Sequence, residues 1–370
     1  MPHLTQSESS ASPLAESTPK RVTMPTPKRN HLTMSDHPTI FVTGGTGHLG
    51  YALLPALLQA GYRVRALTRQ PERHPWLAKL GEGVQIIQGD VTNADLICEA
   101  VQGCRYVVHA AAKFAFWGKR DQFERTNVAG AANVMRAAQI AQVQKYVHVS
   151  TVVVVGKPLA ERLVDETHPT NPLDPYQRSK LHAETLALQA YREHGLPAVV
   201  LRPGAFYGPG GRYAFNRLFI EDALKGIRIQ VDGGNYITFP TYVGDVAQGI
   251  LGALHKGRVG EVYNLCGETL THREANQIVS TEAGISPFRL NVPGWSMILL
   301  ARLWTALSEY TRIEPYYPLN LRSYVFNNWR VSSEKARREL GFAPISFREG
   351  VRHTLEWYEE QGIGRRKKRT

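Results

Sequence analysis

Phe41-Val42-Thr43-Gly44-Gly45-Thr46-Gly47-His48-Leu49-Gly50 joins an apolar run to the start of a helical pattern, and its spaced glycines decide the fold. Residues Thr39 to Thr43 read as a strand and 48 to 60 as a helix. Gly44 permits the tight turn, Gly47 lets backbone amides approach a pyrophosphate, and Gly50 lets the helix lie close on the sheet. The strand before and the helix after are the context such a turn requires. Pro55 falls inside the helix, where it removes a hydrogen bond and predicts a kink.

Working outward, further strand-like runs cover Tyr62 to Thr68, Val84 to Gln88, Tyr106 to Ala110, Lys145 to Ser150 and Ala198 to Leu201. Helical patterns near 93 to 102, 121 to 141 and 175 to 194 lie between them. This alternation predicts an α/β fold: a doubly wound parallel sheet of Rossmann type, covered on both faces. Beyond Pro203 the rhythm is irregular, with helices near 214 to 225, 244 to 255, 271 to 283, 296 to 308 and 346 to 360. That pattern predicts a smaller, mainly helical C-terminal substrate domain. The expected boundaries are a leader over 1–37, a dinucleotide-binding domain over 38–210 plus 241–266, a substrate domain over 211–240 plus 267–360, and a basic tail over 361–370.

The leader is rich in Ser, Thr and Pro and too poor in large apolar groups to offset chain entropy, so it reads as disordered. Met34, immediately before the first strand, and Met24 read as candidate translation starts. The three cysteines Cys98, Cys104 and Cys266 match no zinc or disulfide framework, which predicts free thiols and a cytoplasmic setting. No histidines have metal-ligand spacing, and no metal is expected. The longest apolar stretch, Trp295 to Leu307, is interrupted by Arg302 and is too short to span a bilayer. Its Leu300, Leu303, Trp304, Leu307 stripe reads as core or pocket lid, with contact to a membrane surface as the lesser alternative. The formal charge of +12 is spread widely apart from Arg365 to Arg369, so it selects neither nucleic acid nor any other partner, and a small-molecule substrate is expected.

After the second strand an acidic residue would hold the ribose of NAD; here Leu67-Thr68-Arg69 stands instead, with Arg73 following and Glu72 between them. A guanidinium suits a 2′-phosphate, which favours NADP(H) over NAD(H). Tyr176 and Lys180 open the helix after the fifth strand, one turn apart on one face. A lysine charge about 4 Å from the phenol, at an effective dielectric near 20, is worth about 4 kcal/mol, or roughly three pKa units. Lys180 is therefore expected to acidify Tyr176 into a working proton-transfer group. Ser150 and Thr151 end the fifth strand, where a hydroxyl would orient the substrate oxygen. His109 reads as a wall residue and His182 as solvent-facing.

Together with Gly89-Asp90-Val91, His109-Ala110-Ala111-Ala112, Asn127-Val128-Ala129-Gly130, Leu201-Arg202-Pro203-Gly204 and Tyr242 to Val246, these motifs resemble the extended short-chain dehydrogenase/reductase (NAD-dependent epimerase/dehydratase) family over about Thr39 to Tyr358. The resemblance implies that Asp90 and Val91 flank the adenine, that Ala110, Ala111 and Ala112 line the cofactor, and that Pro203, Gly204 and Phe206 approach the carboxamide. It implies catalytic roles for Tyr176 and Lys180 and a supporting one for Asn127. The catalytic hydroxyl then falls on Thr151, where members commonly carry serine, with Ser150 as substitute. It further implies a homodimer through the helices 121 to 141 and 175 to 194.

Aromatic residues in the Ala111 to Gly118 loop and at Tyr316, Tyr317, Tyr324 and Trp329 favour an apolar or polycyclic ketone or alcohol, as in the dihydroflavonol-4-reductase-like and 3β-hydroxysteroid dehydrogenase-like branch. Two other readings stay open: a nucleotide-sugar epimerase or dehydratase, and a regulator that senses NADP(H) without turnover.

Overall fold

The computed structural model describes residues 37–159 and 162–363. The alternative starts, nearly all of the leader and the Arg365 to Arg369 run lie outside the described residues.

Seven strands form one parallel sheet: β1 (Thr39–Thr43), β2 (Arg63–Thr68), β3 (Val84–Gln88), β4 (Tyr106–His109), β5 (Lys145–Val149), β6 (Ala198–Pro203) and β7 (Val262–Leu265). Their order is β7-β6-β5-β4-β1-β2-β3, so β1 has β2 on one side and β4 on the other. Ile40, Phe41 and Val42 of β1 are each 0% exposed, as a central strand covered on both faces demands. Leu49, Leu53, Leu54 and Leu57 of helix His48–Gln59 pack on one face with helix Val243–Lys256. Helices Ala94–Val101, Gly130–Ile140 and Pro175–His194 cover the other.

Several expectations need correction. Helix His48–Gln59 runs without interruption through Pro55. The predicted helix over 121 to 141 contains a π-helical segment, Glu124–Ala129, that breaks its period and bears Asn127. β7, absent from the expected strands, joins the sheet; its Val-Tyr-Asn-Leu run between Gly260 and Gly267 is only four residues long, too short for a strand period to stand out. Trp329 is fully buried and Tyr324 nearly so, which makes them core supports for the C-terminal region and not substrate walls.

The 296 to 308 pattern becomes helix Gly294–Thr311. It does not bury its stripe: Leu303 and Leu307 lie exposed, Leu300 and Trp304 half-buried, because smaller residues such as Ala301 and Ser308 turn inward. Among the described residues, no helix is long and apolar enough to cross a membrane.

Candidate active site

The chain leaves β1 and β4 in opposite directions, and this reversal opens a crevice at their carboxyl ends. Gly44 turns there at φ +74°, and a Cβ on it would come within 2.7 Å of the Ala110 carbonyl carbon and the Ala111 nitrogen. Thr43 ties the two strand ends together: its Oγ1 accepts from the Ala111 N–H at 3.1 Å and pairs with His109 Nδ1 at 2.8 Å. Burial holds the His109 imidazole at about 3, hence neutral, and the Lys180 charge reinforces the effect.

Gly50 makes the closest approach, since a Cβ would fall 2.1 Å from the Gly45 oxygen. Gly47 begins the helix with no side-chain cap and no acidic residue in the first turn, and its own Cβ would meet only the Gly44 oxygen, at 3.4 Å. The first-turn amides thus keep their hydrogen-bonding capacity and positive field for an anion, which fits a pyrophosphate.

The remaining candidate cofactor residues divide by what their side chains do. Thr46 Oγ1 reaches Thr68 Oγ1 at 3.3 Å. Beyond β2, Arg69 is a mostly exposed cation whose nearest carboxylate is Asp90, at 3.9 Å. Asp90 caps its own turn through Thr92, while Val91 is buried under Gly130. Leu49 packs into the core, leaving only its backbone for the crevice. His48 Nε2 pairs with the Gly208 oxygen at 3.1 Å, burial lowers its ring to about 4, and Phe206 meets it edge-on. Pro203 ends β6, and at Gly204 a Cβ would lie 2.3 Å from the Phe239 oxygen, so that glycine is required by a chain crossing. Ala110, Ala111 and Ala112 are half-buried along the loop after β4.

Asp174 sets the start of the helix that carries Tyr176 and Lys180. Its Oδ1 accepts from the Gln177 N–H at 2.9 Å, and Tyr324 donates to its Oδ2 at 2.7 Å. An Asp before a Pro at the first helical position is an N-cap signature, so this pairing of cap and helix was available to sequence reasoning that overlooked it. Asn127 clamps the same helix from the π-segment: it donates to Ser179 Oγ at 2.8 Å and to the Lys113 oxygen at 3.1 Å, and accepts from the Lys113 N–H at 2.7 Å. Ser179 in turn donates to the Tyr176 oxygen at 2.8 Å.

Lys180 does not act on Tyr176 in the expected manner. Its Nζ donates to the Val149 oxygen at 2.7 Å, and burial lowers the ammonium to about 8. Burial, reinforced by the Asp174 carboxylate, pushes the Tyr176 phenol well above its ordinary value. The charge attraction expected from Lys180 does not offset the desolvation of the phenol, which rests protonated.

Two hydroxyls directly after β5 have different surroundings. Ser150 Oγ donates to Glu184 Oε2 at 2.6 Å, inside a buried group completed by the two-pronged pairing of Arg202 with Glu184. Thr151 makes only a long 3.4 Å cap contact to the Val153 N–H. His182 is half exposed, 3.5 Å from Glu124.

Phe114 lies over the Tyr176 ring, with centroids 4.7 Å apart, and also meets Phe116 and Tyr213. It is 41% exposed, whereas Phe116 is buried, so Phe114 forms the outer lip of an aromatic wall beside the phenol. Tyr213 and Asn320 bond the backbone of Phe116 from the C-terminal region and hold this loop in place. Beyond it, Leu218, Ile229, Val231, Met297, Ala301 and Phe326 help line an open cleft of about 110 Å³. Leu218 also packs against the cluster containing Tyr176.

The family model for the NAD dependent epimerase/dehydratase family matches residues 40–266. A 4-hydroxy-2-methyl-3-oxo-4-farnesyl-3,4-dihydroquinoline-1-oxide ketoreductase from Stigmatella aurantiaca is 36% identical over 317 residues, covering 82% of this chain and 91% of its own length. A 3-beta-hydroxysteroid dehydrogenase from Mycolicibacterium neoaurum is 31% identical, covering 83% of this chain and 87% of its own. Among solved structures, gox2253 superposes with a TM-score of 0.75 at 29% identity, over 88% of this chain and 99% of that one.

Proposed function

This chain belongs to the NAD dependent epimerase/dehydratase family, and on that footing we propose that it reduces the ketone of an apolar substrate, with Tyr176 as proton donor. As a family member it is an NAD(P)-dependent oxidoreductase acting on CH–OH groups. The observation that carries the finer reading is the Tyr176 ring packed 4.7 Å from the aromatic lip of Phe114. A reduced nicotinamide, when bound, supplies the hydride. The chain's own residues supply the rest.

Residues 38–210 with 241–266 hold the cofactor, and 211–240 with 267–360 form the substrate side. The first-turn amides after Gly47 bind the pyrophosphate, and Asp90, Val91 and the Ala110 to Ala112 turn enclose the adenosine side. Thr151 orients the substrate oxygen, because its hydroxyl is less engaged than that of Ser150. Tyr176 Oη then passes its proton to that oxygen as the carbonyl carbon accepts hydride, leaving an alcohol and a phenolate that solvent reprotonates. Lys180 stabilises that phenolate, and Asn127 fixes the helix that bears both residues. Phe114 and the neighbouring rings exclude water and favour an apolar substrate face.

Arg69 supports NADP(H) as the preferred cofactor, since its guanidinium stands free beyond β2 with one loose partner. The names of the two relatives, one acting on a farnesylated ring ketone and one on a hydroxysteroid, support the apolar class.

The decisive experiment follows oxidation of NADPH and NADH with a panel of cyclic and long-chain ketones, and conversion of nucleotide sugars, using wild type and Tyr176→Phe. Turnover that survives the substitution refutes the role of Tyr176. Turnover restricted to nucleotide sugars refutes the substrate class.

A further inference from the structure

Helix Gly294–Thr311 is apolar on two sides. Met297, Ile298 and Ala301 face the cleft described above. On the other side Trp295, Leu299, Leu303, Leu307 and Tyr310 are 69%, 51%, 61%, 58% and 90% exposed. At about 100° per residue these five side chains fall within an arc of roughly 120°. Ile313, just past the helix, is also 70% exposed. Isolated surface leucines need no explanation, but five large apolar groups in one stripe mark a contact surface. Among the described residues none covers it.

We propose that this face docks on an anionic lipid surface, with the helix lying in the plane of the headgroups. The charges point to that occupant. Arg302 lies at the edge of the apolar arc, on the same side as Glu309, and Arg312 caps the helix end, so two cations against one carboxylate border the exposed stripe. Glu309 is the one carboxylate in the helix, and the whole chain carries a formal charge of +12, which draws it to a negative surface.

Because no described helix is long and apolar enough to cross a membrane, the attachment is in-plane. The inner face of the docked helix lines the cleft, which gives a substrate dissolved in lipid a short path inward. Docking itself does not depend on the ketone reading and goes beyond it.

The test is co-sedimentation of the full-length protein with phosphatidylcholine vesicles, with and without phosphatidylglycerol. The first variant combines Trp295→Gln, Leu299→Gln, Leu303→Gln and Leu307→Gln, which leaves net charge unchanged. Wild type is expected to bind the phosphatidylglycerol vesicles, and the variant to lose on the order of 100-fold in partitioning. Arg302→Gln with Arg312→Gln is expected to weaken binding about tenfold, with the loss confined to phosphatidylglycerol vesicles. Light scattering and cofactor binding run in parallel verify that the variants remain folded.

Absence of wild-type binding overturns the proposal, as does binding that the fourfold variant leaves intact, which would place the attachment elsewhere. A wild-type dimer that the variant converts to monomer, with no vesicle binding, assigns the face to a second copy of the chain and also overturns it.

Discussion

Lys180 Nζ donates to the main-chain oxygen of Val149 at 2.7 Å, so the end of β5 holds the buried ammonium in place. In the proposed reaction the lysine is a pre-positioned charge for a phenolate that forms at Tyr176 only during turnover. At rest the charge is buried and incompletely compensated, as its lowered value of about 8 records.

The first prediction concerns stability. Folding lowers Lys180 from 10.5 to about 8, so the unfolded chain binds more protons between those values and this residue destabilises the fold at neutral pH. Lys180→Met is expected to raise the unfolding free energy at pH 7 by about 2 kcal/mol, after allowance for the lost bond to Val149. The advantage over wild type should shrink as pH rises from about 8 toward 10.5. Chemical denaturation across that range measures it, and a pH-independent difference contradicts the assignment.

Tyr176→Phe removes the proton and little else, because the ring packs against Phe114 and Phe123 and, among the described residues, none hydrogen-bonds its hydroxyl. The turnover rate for ketone reduction should fall about 10²- to 10⁴-fold, while cofactor affinity changes less than about threefold. Steady-state kinetics paired with cofactor titration checks both quantities.

The two hydroxyls after β5 should separate by readout. Ser150→Ala leaves Glu184 with one fewer donor in a buried group and is expected to lower stability by about 1–3 kcal/mol. Thr151→Val should reduce turnover about 100-fold at nearly unchanged stability. If Ser150→Ala instead shows the larger loss of turnover, the assignment reverses.

Arg69→Ala is expected to weaken NADPH binding about 10- to 100-fold and to leave NADH nearly unaffected, because only the former carries a 2′-phosphate. Tryptophan fluorescence titration with each cofactor decides it; equal losses would show that Arg69 does not read the phosphate.

Gly50→Ala introduces a Cβ 2.1 Å from the Gly45 oxygen, a backbone atom that cannot step aside without moving the turn. Destabilisation of about 3 kcal/mol or more and loss of cofactor binding are expected. Thermal unfolding and the same fluorescence titration measure the two effects.

By itself the sequence determined six of the seven strands and the turn. Continuous apolar strands such as Ile40 to Val42, and glycines at 44 and 50 where the backbone has no room for a Cβ, are local constraints written in residue type and spacing. Tyr176 and Lys180 were likewise legible as one face of one helix.

Tertiary structure alone decided the electrostatics and the contacts between distant segments. The expected acidification of Tyr176 treated two charges at a distance, whereas the fold buries both and lets desolvation win. The occupation of Ser150 by Glu184, the clamp of Asn127 on Ser179 and the exposed side of helix Gly294–Thr311 join or uncover residues far apart in the chain. Periodicity shows that a face is apolar but not which neighbour reaches it, because burial depends on where other elements pack.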